Sequence, residues 1–231
     1  MAAGGDVVDI DVFLTKDSVP IAFHDWTLNR TTNGKGRVSD HTFAELSRLD
    51  AGWNFKRAGE FPFRRKNVRI PSVESVLRRF PNSLVTLDLK DQRLQVVGPV
   101  CRLLAKLNRA SNVYVGIDTD EQVDEFRKVC PQIRTSGTSG ERRAMRAARE
   151  AGDVDFVTRQ LVGQPGFRAD DGSIRITKTM LDYSHSKGIA VLTWVVDDPK
   201  DMALLIDLGV DGIYTRRPDI LRSVMQEKGR L

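Results

Sequence analysis

Short β-rich runs alternate with amphipathic helical runs along nearly the whole chain, which restricts it to parallel strands joined by crossover helices rather than a sandwich or a bundle. Strand-like runs occupy residues 7–12, 84–90, 113–117, 133–136, 155–159, 190–195 and 212–215. Between them, Val73, Val76, Leu77 and Phe80 share one helical face, as do Val100, Leu103, Leu104 and Leu107. Met202, Leu205 and Ile206, and later Ile220, Val224 and Met225, repeat the period. Gly188 and Gly209 stand where such helices should stop, each with a strand-like run after it.

Two segments break the alternation. Residues 19–24 follow the first strand after only Thr15-Lys16-Asp17-Ser18, too short a link for a crossover helix, so a hairpin is expected. Residues 50–69 have no clean period and are rich in glycine, basic and aromatic residues, which reads as an insertion loop over a barrel mouth. No linker or compositional seam divides residues 1–231, so one domain is expected. A closed parallel barrel needs eight strands and seven are read. Residues 1–5 resemble the last turn of a helix with its glycine cap. The expectation is therefore an α/β chain of TIM type, a (β/α)8 barrel whose first strand and most of whose first helix lie upstream of Met1.

A hydrophobic share of 40% with 29% charged residues suits a globular chain with a substantial core. The net charge of +5 is a small difference between 36 basic and 31 acidic residues, so it selects no partner class. Basic residues bunch at Arg64, Arg65, Lys66 and Arg69, and again at Arg142, Arg143, Arg146 and Arg149. They read as solvated faces or as surfaces favouring an anion. They are not interleaved with aromatics in any nucleic-acid module, and no such partner is expected. Cys101 lies in an apolar helical run and Cys130 precedes a proline; two separate buried thiols and a reducing compartment are the expectation. No run is apolar enough to span a bilayer, so a cytoplasmic location is expected, with a leader upstream of Met1 left open.

The chemistry starts at Asp9 and Asp11, which the period of two places on one face of a strand while Val8, Ile10 and Val12 point the other way. Paired carboxylates of this kind are hard oxygen ligands suited to Mg2+ or Ca2+; capping a helix or binding an arginine is the alternative. Asp88 and Lys90 share a face at the end of another strand, either as a metal ligand beside a phosphate-binding charge or as a structural ion pair. His24 ends the hairpin strand, and histidine is the side chain best tuned to move protons near neutrality, although a structural role is open to it too. His41 and His185 sit among polar residues and read as structural.

These residues lie in blocks whose order is distinctive: Gly-Gly-Asp-Val-Val-Asp-Ile-Asp-Val, Leu-Thr-Lys-Asp, Val-Pro-Ile-Ala-Phe-His-Asp and Leu-Asn-Arg-Thr-Thr-Asn-Gly-Lys-Gly, then Asp88-Leu89-Lys90, Leu192-Thr193-Trp194 and Gly209-Val210-Asp211-Gly212. Together they closely resemble the glycerophosphodiester phosphodiesterase family. The resemblance implies the fold shared with phosphatidylinositol-type phospholipases C and a divalent metal ion held by three carboxylates, matched by Asp9, Asp11 and Asp88. It implies a phosphate-side lysine at Lys90, one of two acid/base histidines at His24, and a pocket-lining tryptophan at Trp194, for which core packing is the alternative. The family commonly has glutamate where Asp9 stands, and often aspartate where Arg216 stands. Its first-strand histidine-arginine-glycine motif and the following glutamate-asparagine-threonine motif do not occur in this sequence, and the upstream reading frame is expected to encode them.

The implied activity is metal-dependent hydrolysis of small-molecule glycerophosphodiesters to glycerol 3-phosphate and an alcohol. Two alternatives stand beside it: a catalytically impaired barrel that binds phosphodiesters, and a lysophospholipase D of the same superfamily. A homo-oligomer that covers the open strand edges is a further expectation.

Overall fold

The computed structural model describes residues 4–231. The reading of Met1–Ala3 as the end of a helix lies outside them, while Gly4, at φ +90°, has the left-handed backbone of a glycine cap. The chain forms two compact units, residues 7–133 and residues 134–231 with 4–6.

In the first unit, β1 (Val7–Leu14) is followed at once by β2 (Pro20–Ala22), antiparallel to it, with Phe13 opposite Ile21. The expected hairpin is therefore present. Its turn is closed by Thr15, whose N–H donates to the Val19 carbonyl at 3.1 Å, and Ser18 takes up a positive φ of 62°. After a short α1 (Phe43–Leu46) and α2 (Val73–Arg79) comes β3 (Leu84–Leu89), parallel to β1. Then α3 (Val97–Lys106) leads to β4 (Val113–Gly116), parallel to β3, and α4 (Asp120–Val129) follows.

Alternation decides the faces of these strands. Ile10, Val12 and Leu14, with Val85, Leu87 and Leu89, bury against Val73, Leu77, Val100, Leu104 and Phe126 of the helices. Asp9, Asp11, Thr86 and Asp88 are thereby turned to the opposite face. A second core of Phe13, Ile21, Leu28, Val38, Leu46 and Ile70 fixes the hairpin and the segment after it.

The same core overturns the cysteine reading: Cys101 of α3 and Cys130, which caps α4, form a disulfide with Cα atoms 5.9 Å apart. A separation of 29 residues hides the pairing, but α3 and α4 pack side by side and turn both sulfurs into one apolar layer. The cysteine argument for a reducing compartment goes with it.

In the second unit, β5 (Arg134–Thr135), α5 (Ser139–Glu150), β6 (Val162–Gly163), α6 (Lys178–Ser186), β7 (Ala190–Thr193), α7 (Pro199–Leu208), β8 (Gly212–Ile213) and α8 (Pro218–Glu227) alternate as read. β6, β7 and β8 are parallel neighbours, and Ser136 just after β5 bridges in parallel to Val162. Gly188 and Gly209 follow α6 and α7 at φ +69° and +94°, the stops the sequence indicated. Asp198 caps α7 by accepting the N–H groups of Lys200 and Asp201, with Pro199 in the first turn.

One strand is displaced from its expected place. Residues 155–159 alternate like a strand, yet Val157 is 87% exposed, and the ladder to β7 forms only at Val162, opposite Ala190. The short Asp153–Asp155 turn, in which the Asp155 N–H bonds the Asp153 carboxylate at 2.9 Å, leads the chain away from the sheet first.

Candidate active site

Parallel pairing of β1 with β3 sets Asp11 directly opposite Asp88 and Asp9 opposite Thr86. Three carboxylates thus share one face of two adjacent strands. Lys90, one residue past β3, donates from Nζ to Asp88 Oδ2 at 2.5 Å and lies 3.6 Å from Asp11 Oδ1. Thr86 donates its hydroxyl to Asp9 Oδ1, a partner that sequence reasoning passed over although Thr86 shares the face of Asp88.

Withdrawal from water pushes the Asp9 carboxyl above its ordinary range; the Thr86 hydrogen bond opposes this, and the charges on Asp11 and Asp88 reinforce it. Burial likewise raises Asp11, against the pull of Lys90 and His24. Burial would lower Lys90, but its hydrogen bond to Asp88 and the two facing carboxylates win, so its pKa is raised and the ammonium is secure at neutral pH.

His24 belongs to the same cluster. The Phe23 N–H next to it bonds the Asp11 carbonyl at 2.9 Å, and the His24 ring lies close enough to Asp11 to favour its ionised form. Its Nδ1 sits 2.6 Å from Asp25 Oδ1, and a carboxylate can only accept, so Nδ1 carries the proton and Nε2 is left to exchange one. Arg30 holds Asp25 in a two-pronged grip, Nε to Oδ2 at 2.6 Å and Nη2 to Oδ1 at 2.9 Å, and keeps its carboxyl below the usual range. The Arg30–Asp25–His24 chain was legible only as an acid adjacent to His24. With its side chain 64% exposed, His24 is open to a ligand rather than packed in a core. His41 and His185 are bonded to the Lys35 carbonyl and to Asp211, structural partners as read.

The carboxylates suit a hard divalent cation in donor chemistry, and three of them facing one ammonium leave two formal negative charges for such an ion to neutralise. They do not yet form a cage. Among the described residues no group of three or more His, Cys, Asp and Glu side chains is gathered closely enough to hold a metal ion. Asp9 is turned to Thr86 and Asp88 to Lys90 instead.

Trp194 belongs to the second unit. The residue is 51% exposed, so it does not pack in a core, and its Nε1 donates to the Gln164 carbonyl at 2.9 Å. It lines an open cleft of about 520 Å³ with Gly166, Arg168, Asp197 and Arg216. Arg216 binds Asp197 through its backbone N–H at 2.8 Å and its Nε at 2.7 Å, so an ion pair forms part of the cleft lining.

Residues 1–220 match the model of the glycerophosphoryl diester phosphodiesterase family. A glycerophosphodiester phosphodiesterase of Bacillus subtilis strain 168 is 28% identical over 233 residues, covering 95% of this chain and 76% of that protein. The glycerophosphoryl diester phosphodiesterase domain of a Mycobacterium tuberculosis protein has the same fold, with a TM-score of 0.81 at 20% identity, covering 98% of this chain and 90% of that one. So has an Oleispira antarctica phosphodiesterase solved in complex with the product sn-glycerol-3-phosphate, with a TM-score of 0.77 at 18% identity, covering 97% and 87%.

Proposed function

This chain belongs to the glycerophosphoryl diester phosphodiesterase family, and on that premise we propose that it hydrolyses glycerophosphodiesters to glycerol 3-phosphate and an alcohol. The observation that carries the reading is the shared face of Asp9, Asp11 and Asp88 on β1 and β3, with Lys90 just past β3 bonded to Asp88 and near Asp11, and His24 just beyond β2 acting on the charge of Asp11.

Each residue has a task that its surroundings suit. The Lys90 ammonium, kept charged by Asp88 and Asp11, binds the phosphodiester anion and stabilises charge that grows on its oxygens in the transition state. Nε2 of His24 exchanges a proton with the attacking or leaving oxygen while Asp25 fixes the ring and steadies the imidazolium. Arg30 positions Asp25 and touches nothing that reacts. Asp9, Asp11 and Asp88 would hold a divalent metal ion, Mg2+ or Ca2+. Such an ion, when bound, supplies Lewis-acid neutralisation of a phosphoryl oxygen. The half-exposed Trp194 offers an apolar ring face to substrate.

Incubation with glycerophosphocholine and, separately, with lysophosphatidylcholine, each with and without a chelator, tests this reading. Release of glycerol 3-phosphate from the first, abolished by the chelator and restored by Mg2+ or Ca2+, is expected. Cleavage of the lysolipid alone would make the chain a lysophospholipase D, and binding without turnover of either would make it a phosphodiester-binding barrel.

A further inference from the structure

Residues 50–69, the expected insertion loop, have no regular element but are firmly built. Asp50, 8% exposed, accepts the N–H groups of Gly52 at 2.9 Å and Arg65 at 2.7 Å, while its own N–H donates to Asn33 Oδ1 at 2.8 Å. Gly52 passes so near Phe63 that a Cβ there would sit 2.7 Å from the Phe63 carbonyl oxygen. The tip is a two-residue turn in which Arg57 and Glu60 exchange both backbone hydrogen bonds, with Ala58 and Gly59 at φ +50° and +88°.

This scaffold holds apolar rings in water. Phe55, Phe61 and Phe63 are 44%, 38% and 43% exposed, and Phe55 and Phe63 meet edge to face at 5.1 Å. Around them stand Lys56, Arg57, Arg64, Arg65 and Lys66, with Glu60 the one acid between residues 55 and 69. Arg64 caps Phe61 at 3.8 Å, whereas Lys56, Arg57 and Lys66 make no ion pair among the described residues. Stacking on bases uses free ring faces, and the edge-to-face pairing of Phe55 with Phe63 and the Arg64 cap on Phe61 occupy part of them. An anionic bilayer needs only apolar bulk that can enter the headgroup boundary and cations that meet lipid phosphates.

We propose that the 50–69 loop seats the protein on anionic phospholipid bilayers, with Phe55, Phe61 and Phe63 entering the interface and Lys56, Arg57 and Lys66 binding lipid phosphates. Through Asn54, whose N–H donates to the Thr31 carbonyl at 3.0 Å and whose side-chain amide donates to the Asn29 and Thr32 carbonyls, the loop is tied to the segment that follows His24. A seated loop therefore brings the unit that carries that histidine to the lipid surface. The inference stands independently of the proposed hydrolysis.

Co-sedimentation with vesicles of phosphatidylcholine, alone or mixed with phosphatidylglycerol, reads the docking directly. The wild-type protein is expected to partition onto the mixed vesicles and poorly onto the neutral ones. At about five-fold per cation, K56Q/R57Q/K66Q is expected to lower that partition by on the order of 100-fold. F55S/F61S/F63S is expected to lower it at least about 10-fold while leaving retention on heparin unchanged. Absence of wild-type binding, or an aromatic variant that binds vesicles as well as wild type, overturns the proposal; so does heparin or RNA binding without vesicle binding. Should a variant melt early, hydrogen exchange of the wild-type protein with and without mixed vesicles decides: protection centred on residues 55–66 supports docking, and protection elsewhere or nowhere overturns it.

Discussion

At the scale of the residue, the site rests on how each charge is compensated. Asp9, Asp11 and Asp88 could be placed on common faces from strand period alone, because a period of two leaves no freedom once Ile10 and Leu87 are buried. That Asp11 and Asp88 stand directly opposite could not, since register between strands 77 residues apart is set by packing of the intervening helices. Asp25 shows what such compensation does to stability. Its carboxyl is held below the ordinary range chiefly by Arg30, so it contributes stability that is present above the ordinary carboxylate pKa and lost as pH falls through the lower folded value. Asp25→Asn is expected to cost about 1 kcal/mol at neutral pH, because Arg30 stays mostly in solvent, and to flatten the acid limb of a stability-against-pH curve measured by thermal melting. An unchanged acid limb would remove Arg30 and Asp25 as a structural pair. For His24→Gln the expected loss in kcat on glycerophosphocholine is about 10²- to 10⁴-fold with little change in KM; a change in KM alone would reduce the histidine to a binding role.

At the scale of the element, patterns carried by neighbours in sequence were legible and those carried by tertiary pairing were not. The hairpin at residues 15–22 followed from a four-residue link, and the helix stops from Gly188 and Gly209. The 155–159 run failed because its alternation is real but the Asp153–Asp155 turn leads it away from the sheet, and the parallel ladder begins only at Val162. The Cys101–Cys130 disulfide failed for the opposite reason: nothing in either neighbourhood marks it, and only the packing of α3 on α4 brings the sulfurs together. Closing a loop across a separation of 29 residues stabilises by roughly 3.5 kcal/mol in the chain-entropy account. Intact mass after alkylation without reductant should show no free thiol, and adding reductant should lower the melting temperature; two alkylated cysteines in the untreated protein would contradict the pairing.

At the scale of the whole molecule, strand and helix alternation indicated the α/β barrel class, and the shared fold of solved family members agrees with it. Ordered blocks from Gly4 to Gly36, with Asp88-Leu89-Lys90 and the later Trp194 and Gly209 blocks, indicated the family, and its model spans 220 residues of the chain. Activity depends on how the clustered groups act together, which neither pattern nor fold expresses, so it belongs to experiment. The most direct measurement is glycerol 3-phosphate released from glycerophosphocholine by the wild-type protein and by Asp88→Asn, both supplied with Mg2+ or Ca2+ at neutral pH. Removing Asp88 takes away the partner of Lys90 and one of three carboxylates, so release by wild type and a fall of at least about 100-fold in the variant are predicted. No release by wild type, or equal release by both, would contradict the account.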